Sequence, residues 1–353
     1  MKKITTLFTV ALFGMGFAQI PTNYYSGTEN LSGAALKTKL QTIITNGHQD
    51  KGYNWTIFTT SDRDKYYEND NTLLDIYSEN PTGTDPYNYN IPGGQCGNVG
   101  TGEGTCYNRE HTIPQSTFDS DAPMVSDYHH LLPTDGKVNG WRDNYPYGEV
   151  GTPTRTTLNG SKLGPSKMTN YGGTVFEPIN EFKGDIARIY FYFVTRYQSS
   201  INNFSYAMWT TGNYKNISEP FLSTLIKWHQ QDPVSQKEID RNNAIYNYQK
   251  NRNPYVDHPE WVAQIFGTVM ATDENGFSKN LKIAPNPVKG NTITVEGDNL
   301  KKFDKAVIYN LIGQKIQEID MPFRNGNTLT INKLEKGIYI LKTGDLNTKF
   351  VVE

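Results

Sequence analysis

Along the first 270 positions, apolar residues gather in separated patches, and only some of them repeat with a period. Leu36, Leu40, Ile43 and Ile44 share one face of a predicted helix over 32–47, with Ser32 as its cap and Gly47 as its stop. Phe182, Ile186, Ile189, Tyr190, Phe193, Val194 and Tyr197 recur at the same spacing. They predict an amphipathic core helix over 181–197, with Lys183 and Arg188 off the apolar stripe and free to be solvated or to contact phosphate. Ser235 with Glu238, and Asp257 with Glu260, have capping-box spacing and open two further helices, toward Gln249 and Gly267. Between 53 and 106 the chain is instead rich in Asp, Asn, Tyr, Gly and Pro. It holds one strand-like run at 55–58 and an apolar patch at 73–77.

After Gly267 the pattern changes. A polar linker at 271–279 leads into strand-like runs at 281–283, 292–295, 306–309, 328–331, 338–341 and 350–352, punctuated by turn residues, which indicate a small all-β sandwich. It carries no His or Cys and so has little to do chemistry with. At the other end, Lys2 and Lys3 precede an apolar run from Leu7 to Phe17 and the small residues Gly16 and Ala18, the pattern of a secretory signal peptide cut after Ala18. The predicted organisation is therefore a signal peptide at 1–18, a mostly helical, loop-rich α+β domain at 19–270, a linker at 271–279 and a β domain at 280–353.

Composition narrows the function. At 353 residues the chain is long enough for two folded units. A mean hydropathy of −0.62, with 31 Gly and 18 Pro, describes a soluble protein of many turns, and no stretch after the signal can span a bilayer. The formal net charge of −2 lacks the basic excess usual in nucleic-acid binders, so such binding needs locally clustered Lys and Arg and a bridging cation. The only cysteines, Cys96 and Cys106, are a closely spaced pair in an exported chain, which reads as a disulfide rather than half of a zinc site. Asp62, Asp64, Asp70, Asp75 and Asp85 lack the spacing of a calcium loop and read as solvated loop residues.

The chemistry concentrates in Arg109-Glu110-His111-Thr112-Ile113-Pro114 and, downstream, in 127–133 and 138–142. His111 is the candidate base, since a neutral imidazole takes a proton from water at ordinary pH. Glu110 and Asn139 offer the carboxylate and amide oxygens that suit a hard cation. Adjacent residues of a regular strand face opposite ways, so Glu110 and His111 can address one phosphate only if a bend or bulge interrupts the strand near Arg109 to His111. His129 and His130 lack the partners of a three-ligand zinc site and are expected to orient and pack. Arg142 shares a helix face with Asn139 and is a candidate either for substrate phosphate or for a salt bridge to Asp135 or Asp143.

This wording, together with Asp232-Pro233-Val234-Ser235 and Asn251-Arg252-Asn253-Pro254, resembles the endonuclease I family of secreted bacterial nucleases from about Leu36 to about Gly267. The resemblance implies a ββα-metal finger in which His111 is the catalytic base and Glu110 and Asn139 hold Mg²⁺, with Ca²⁺ or Mn²⁺ as alternatives. Family members place a phosphate-binding arginine between the histidine and the second strand. Here 112–128 contains no Arg or Lys, which leaves that role vacant or passes it to Arg109, Arg142 or Arg188. The C-terminal segment is similar, at Pro285-Asn286-Pro287, 310–314 and Gly337-Ile338-Tyr339, to the sorting domain of type IX secretion cargo.

The implied function is cleavage of DNA, and of RNA as a second substrate, without sequence preference. It would be performed by a monomer outside a Gram-negative cell or on its outer surface. Two competing readings are a surface adhesin or glycan-binding protein without catalysis, and a zinc hydrolase of another ester.

Overall fold

The computed structural model describes residues 20–96, 99–267, 282–297, 300–310, 315–343 and 346–353. The expected signal peptide at 1–18 and the linker at 271–279 lie outside them. The chain divides into two compact units, 1–268 and 269–353.

Among the described residues the first unit is built from α1 (Gly33–Thr45), α2 (Phe58–Ser61), β1 (Tyr107–His111), β2 (Leu131–Asp135), α3 (Gly136–Arg142), β3 (Arg155–Thr156), β4 (Lys162–Pro165), β5 (Thr174–Glu177), α4 (Lys183–Arg196), α5 (Glu219–Gln231), α6 (Gln236–Gln249), α7 (Pro254–Asp257) and α8 (Glu260–Phe266). The fold is mixed α+β. β1 and β2 form an antiparallel pair, and β3, β4 and β5 form a second small antiparallel sheet.

The core is organised on α4. All fourteen of its residues are buried: Phe191 and Tyr192 extend the apolar surface beyond the expected stripe, and the charged residues Lys183, Asp185, Arg188 and Arg196 find polar partners inside. Lys183 and Arg188 are therefore not solvated. Arg188 is 0% exposed and pairs with Glu238, Nε to Oε1 at 2.5 Å and Nη2 to Oε2 at 2.8 Å. Lys183 pairs with Glu177 at 2.6 Å. Glu238 also closes the capping box that opens α6, accepting from the Ser235 N–H at 2.9 Å, so one carboxylate caps one helix and neutralises another.

Three local expectations give way to competing polar bonds. The run at 55–58 is not a strand: Asn54 Oδ1 accepts from the Thr56 N–H at 2.8 Å, and the turn so formed leads into α2. Asp257 caps no helix. Its carboxylate is taken by Arg252, at 2.6 and 2.7 Å, and by the Tyr25 hydroxyl, at 2.6 Å. Asp62, Asp64 and Asp75 are buried rather than solvated.

The second unit contains β6 (Lys282–Ala284), β7 (Thr292–Glu296), β8 (Lys305–Asn310), β9 (Lys315–Asp320), β10 (Thr328–Thr330), β11 (Gly337–Thr343) and β12 (Leu346–Val352). They form antiparallel sheets of order β10-β7-β6 and β12-β11-β8-β9. Ile283, Ile293, Val295 and Leu329 from the first share one apolar core with Ile308, Leu341 and Phe350 from the second.

Replacing Glu238 by Ala is expected to destabilise the first unit by about 3–5 kcal/mol, since it leaves the Arg188 guanidinium buried without its main partner. A chemical-denaturation midpoint unchanged from the parent would contradict that reading of the pair.

Candidate active site

β1 and β2 pair in register from Tyr107 opposite Asp135 to His111 opposite Leu131, with no shift along the pair. The expected bulge is absent. The side chains alternate as in any regular strand, so Glu110 and His111 meet different surroundings.

The link from β2 to α3 has no loop. Asp135 ends the strand and caps the helix: Oδ1 accepts from the Val138 N–H at 2.7 Å, while Oδ2 accepts from the Tyr89 hydroxyl at 2.5 Å and the Gly104 N–H at 2.8 Å. The helix so started lies against the edge of β1 that β2 leaves unpaired. Asn139 Nδ2 donates to the Arg109 carbonyl at 3.3 Å, and one turn later Arg142 Nη1 donates to the His111 carbonyl at 2.7 Å. Arg142 Nη2 reaches the next carbonyl, that of Thr112, which also accepts from the Tyr190 hydroxyl of α4 at 2.7 Å. Residues three apart on a helix and two apart on a strand advance by about 4.5 and 6.6 Å respectively, close enough for one helix turn to serve alternate strand carbonyls.

The disulfide expected from the sequence closes against this junction. Cys96 and Cys106 are joined, with their Cα atoms 5.4 Å apart, and the Gly136 N–H donates to the Cys106 carbonyl at 2.9 Å. A Cβ at Gly136 would lie 2.5 Å from Cys96 Sγ, so only glycine lets the helix start so near the bridge.

Glu110 is buried on one side of β1. Its Oε1 is held by the Arg142 guanidinium at 2.9 Å and by the hydroxyls of Tyr77 and Tyr147 at 3.0 and 3.1 Å. Burial pushes its carboxyl above the usual range, and Arg142, Tyr77 and Tyr147 oppose that rise. Oε2 receives no hydrogen bond among the described residues, and Asn139, half-buried, spends its Nδ2 on Arg109 and keeps its Oδ1. One carboxylate oxygen and one amide oxygen are the hard donors a small divalent cation takes, so this pair fits Mg²⁺ or a similar ion.

His111 lies on the other side, 6% exposed. Its Nε2 sits 3.0 Å from the Val125 carbonyl, so Nε2 carries the proton and Nδ1 the lone pair. Burial, with His130, Arg109 and Arg142 nearby, drives its pKa down to about 3, which keeps the imidazole neutral. The exposed Tyr53 ring packs against it, centroids 5.2 Å apart, and the Arg109 guanidinium lies 3.4 Å from that same ring's centroid. Arg109 Nη1 donates to the Tyr53 carbonyl at 2.9 Å, and the residue is half-buried.

The structure thus sets Glu110 and Arg142 together on one side of β1, with Asn139 at the strand's edge, leaves His111 on the other side beside Tyr53 and Arg109, and separates Arg188 from them all. Arg142, 1% exposed, spends both terminal nitrogens inside the protein, and Arg188 is held on Glu238; Arg109 alone of the three keeps access to solvent. His129 and His130 each bond a loop carbonyl, that of Asn251 at 3.1 Å and that of Met124 at 2.7 Å. Tyr53, Tyr77 and Tyr147 had no signal in the sequence, being three of 23 tyrosines. Asp135, an Asp before Gly at a strand end, was readable as a helix cap.

Comparisons with known proteins match both parts of the chain. The family described as Endonuclease I matches residues 32–260, and that described as Secretion system C-terminal sorting domain matches 282–353. An "Extracellular ribonuclease" of Bacillus amyloliquefaciens is 34% identical over 255 residues, 69% of this chain and 78% of that protein. One of Bacillus subtilis (strain 168) is 32% identical with the same coverage. An "Endonuclease-1" of Buchnera aphidicola subsp. Baizongia pistaciae is 30% identical over 133 residues, 38% of this chain and 46% of its own.

Burial also pushes His129 down to about 3, against an unfolded value near 6.5. Between those values the unfolded chain binds a proton that the native chain does not, so stability falls as pH drops from about 6.5. Melting temperatures measured from pH 7 to 4 should decline less steeply for His129→Gln than for the parent; parallel profiles would contradict this. Gly136→Ala should lower stability by about 1–3 kcal/mol through the clash with the disulfide, read as a lower denaturation midpoint. The chain belongs to the endonuclease I family and carries a type IX C-terminal sorting domain.

Proposed function

We propose that the protein is an exported, metal-dependent endonuclease that hydrolyses phosphodiester bonds without sequence preference. The observation that carries this reading is the docking of α3 on the edge of β1, which sets Asn139 beside the strand that bears Glu110 and His111, in a chain of this family. The β1-β2-α3 order supports reading this segment as a ββα-metal finger.

In this reading Glu110, through Oε2, and Asn139, through Oδ1, hold a divalent cation, Mg²⁺ by preference. Such an ion supplies charge neutralisation on the phosphoryl oxygens. His111 stands on the other face of β1, so for it and the ion to act on one phosphate the end of that strand would have to bend; His111 Nδ1 would then take a proton from water as that water's oxygen bonds to phosphorus and the bond to the 3′ oxygen breaks, the leaving oxygen taking a proton from solvent. The bond from Nε2 to the Val125 carbonyl holds the ring in the tautomer this needs. Arg109 binds the phosphate, its guanidinium supported on the Tyr53 ring. Arg142 positions, bridging Glu110 to the backbone of His111 and Thr112. Contacts to phosphate carry no sequence information, so cleavage is expected at many sites. DNA is the leading substrate and RNA the second, the latter supported by relatives named extracellular ribonucleases. The signal at 1–18 and the sorting domain fit export to the outside or the surface of a Gram-negative cell, as a monomer.

His111→Ala should reduce plasmid nicking by about 10²–10⁴-fold while leaving the melting temperature close to the parent's. Undiminished cleavage would remove His111 from the mechanism. Arg109→Ala should cost about 1.5–3 kcal/mol in kcat/KM, roughly 10- to 100-fold, mostly through KM. The same digestions run on duplex DNA, single strands and RNA, with and without EDTA, test substrate and metal together; cleavage that persists in EDTA refutes metal dependence.

A further inference from the structure

Away from His111, three carboxylates converge. One oxygen each from Asp64, Glu68 and Glu79 lies within 4.8 Å of the others. Asp64 is oriented by the loop around it: Oδ1 accepts from the N–H groups of Tyr66 and Tyr67, both at 3.0 Å, and Oδ2 from that of Asn69 at 2.9 Å. Those bonds fix Asp64 without explaining what offsets three like charges. Lys237 is the cation that acts on Glu79, but its ammonium is bonded to Asp185.

The decisive atom is Glu79 Oε1. Glu79 is 1% exposed, and this oxygen is buried with no hydrogen-bond partner among the described residues. A carboxylate oxygen withdrawn from water without a donor is costly, and a charged one more so, unless a cation meets it.

We propose that Asp64, Glu68 and Glu79 hold a structural divalent cation, Ca²⁺ by the chemistry of the site, distinct from the ion at Glu110 and Asn139. Ca²⁺ takes six to eight oxygens at about 2.3–2.6 Å, so ligands on opposite sides are about 5 Å apart, which accommodates the observed span. It tolerates the irregular geometry of a loop, and the exposed side at Glu68 leaves room for water ligands. Burial, with Asp85, Asp64 and Glu68, raises the Glu79 carboxyl to about 9, so in the absence of a cation it would hold a proton instead.

The site has a consequence for catalysis. Glu79 closes the turn whose N–H groups at Ser78 and Glu79 donate to the Asp75 carbonyl, at 3.0 and 2.8 Å. From that turn Tyr77 reaches Glu110 Oε1, and Asp75 Oδ2 accepts from the Asp135 N–H at 2.8 Å. A cation at Glu79 therefore fastens the segment that backs both Glu110 and the start of α3.

The test is calorimetric titration of the chelator-treated full chain with Ca²⁺, paired with melting temperatures, on the parent and on E79Q, E68Q and E110Q. The expected result is one Ca²⁺ that E110Q retains, with its rise in melting temperature, and that E79Q and E68Q bind at least tenfold more weakly. Glu68 is exposed, so E68Q carries the test if E79Q does not fold. Unchanged binding in E68Q and E79Q, or loss of all binding in E110Q alone, overturns the proposal. So does an absence of Ca²⁺ binding by the parent chain.

Discussion

The unpaired edge of β1 is the constraint on which the site depends. A strand edge buried beside other elements needs donors for its outward carbonyls, and here α3 supplies them from Asn139 and Arg142. Because Asp135 both ends β2 and caps α3, the helix cannot drift along or away from the strand. Arg142 adds a second function to the same contact. One guanidinium satisfies two carbonyls and faces the Glu110 carboxylate, so the backbone on one side of β1 and the acid on the other are held by one group. Residues far apart in the chain are thereby set at one place by main-chain geometry rather than by side-chain packing alone.

The interior around this contact is unusually polar, and the polarity is organised. Asp127, just before β2, accepts from Tyr192 at 2.7 Å and Tyr197 at 2.8 Å, both near the end of α4, and from Gln249 of α6 at 2.8 Å. Arg241 of α6 donates to the carbonyls of Tyr128 and Leu131, at 3.0 and 2.8 Å. The long loop between the two strands is thus pinned from the helical core. That loop carries the Val125 carbonyl that fixes the His111 tautomer, so helix packing reaches the base through loop hydrogen bonds. Such networks specify a single arrangement when every member is satisfied, which suits a domain whose strands are few and short.

How much of this was legible in the sequence differed with the range of the interaction. Periodicity sufficed for α1 and α4, and the Ser235–Glu238 capping box opened α6 as its spacing suggested, because these depend on neighbours in the chain. The turns at 54–58 and at Asp257 were misread because a local hydrogen bond or a neighbouring guanidinium competed better than the pattern implied. Arg142 looked like a surface residue three positions beyond Asn139; its burial follows from Glu110, Tyr77 and Tyr147, which no spacing connects to it. The missing bulge has the same origin. Strand alternation was applied to Glu110 and His111 without the helix that joins the two sides of β1 along its edge.

Coordinates with bound metal would decide directly whether the docking of α3 on β1 lets Asn139 and Glu110 share a cation, as proposed above. Anomalous diffraction from crystals soaked in Mn²⁺ reads this without reference to activity. The account predicts a peak within coordination distance of Glu110 Oε2 and Asn139 Oδ1. A map with no peak there, and manganese only at the acidic cluster of Asp64, Glu68 and Glu79 or elsewhere, would contradict it.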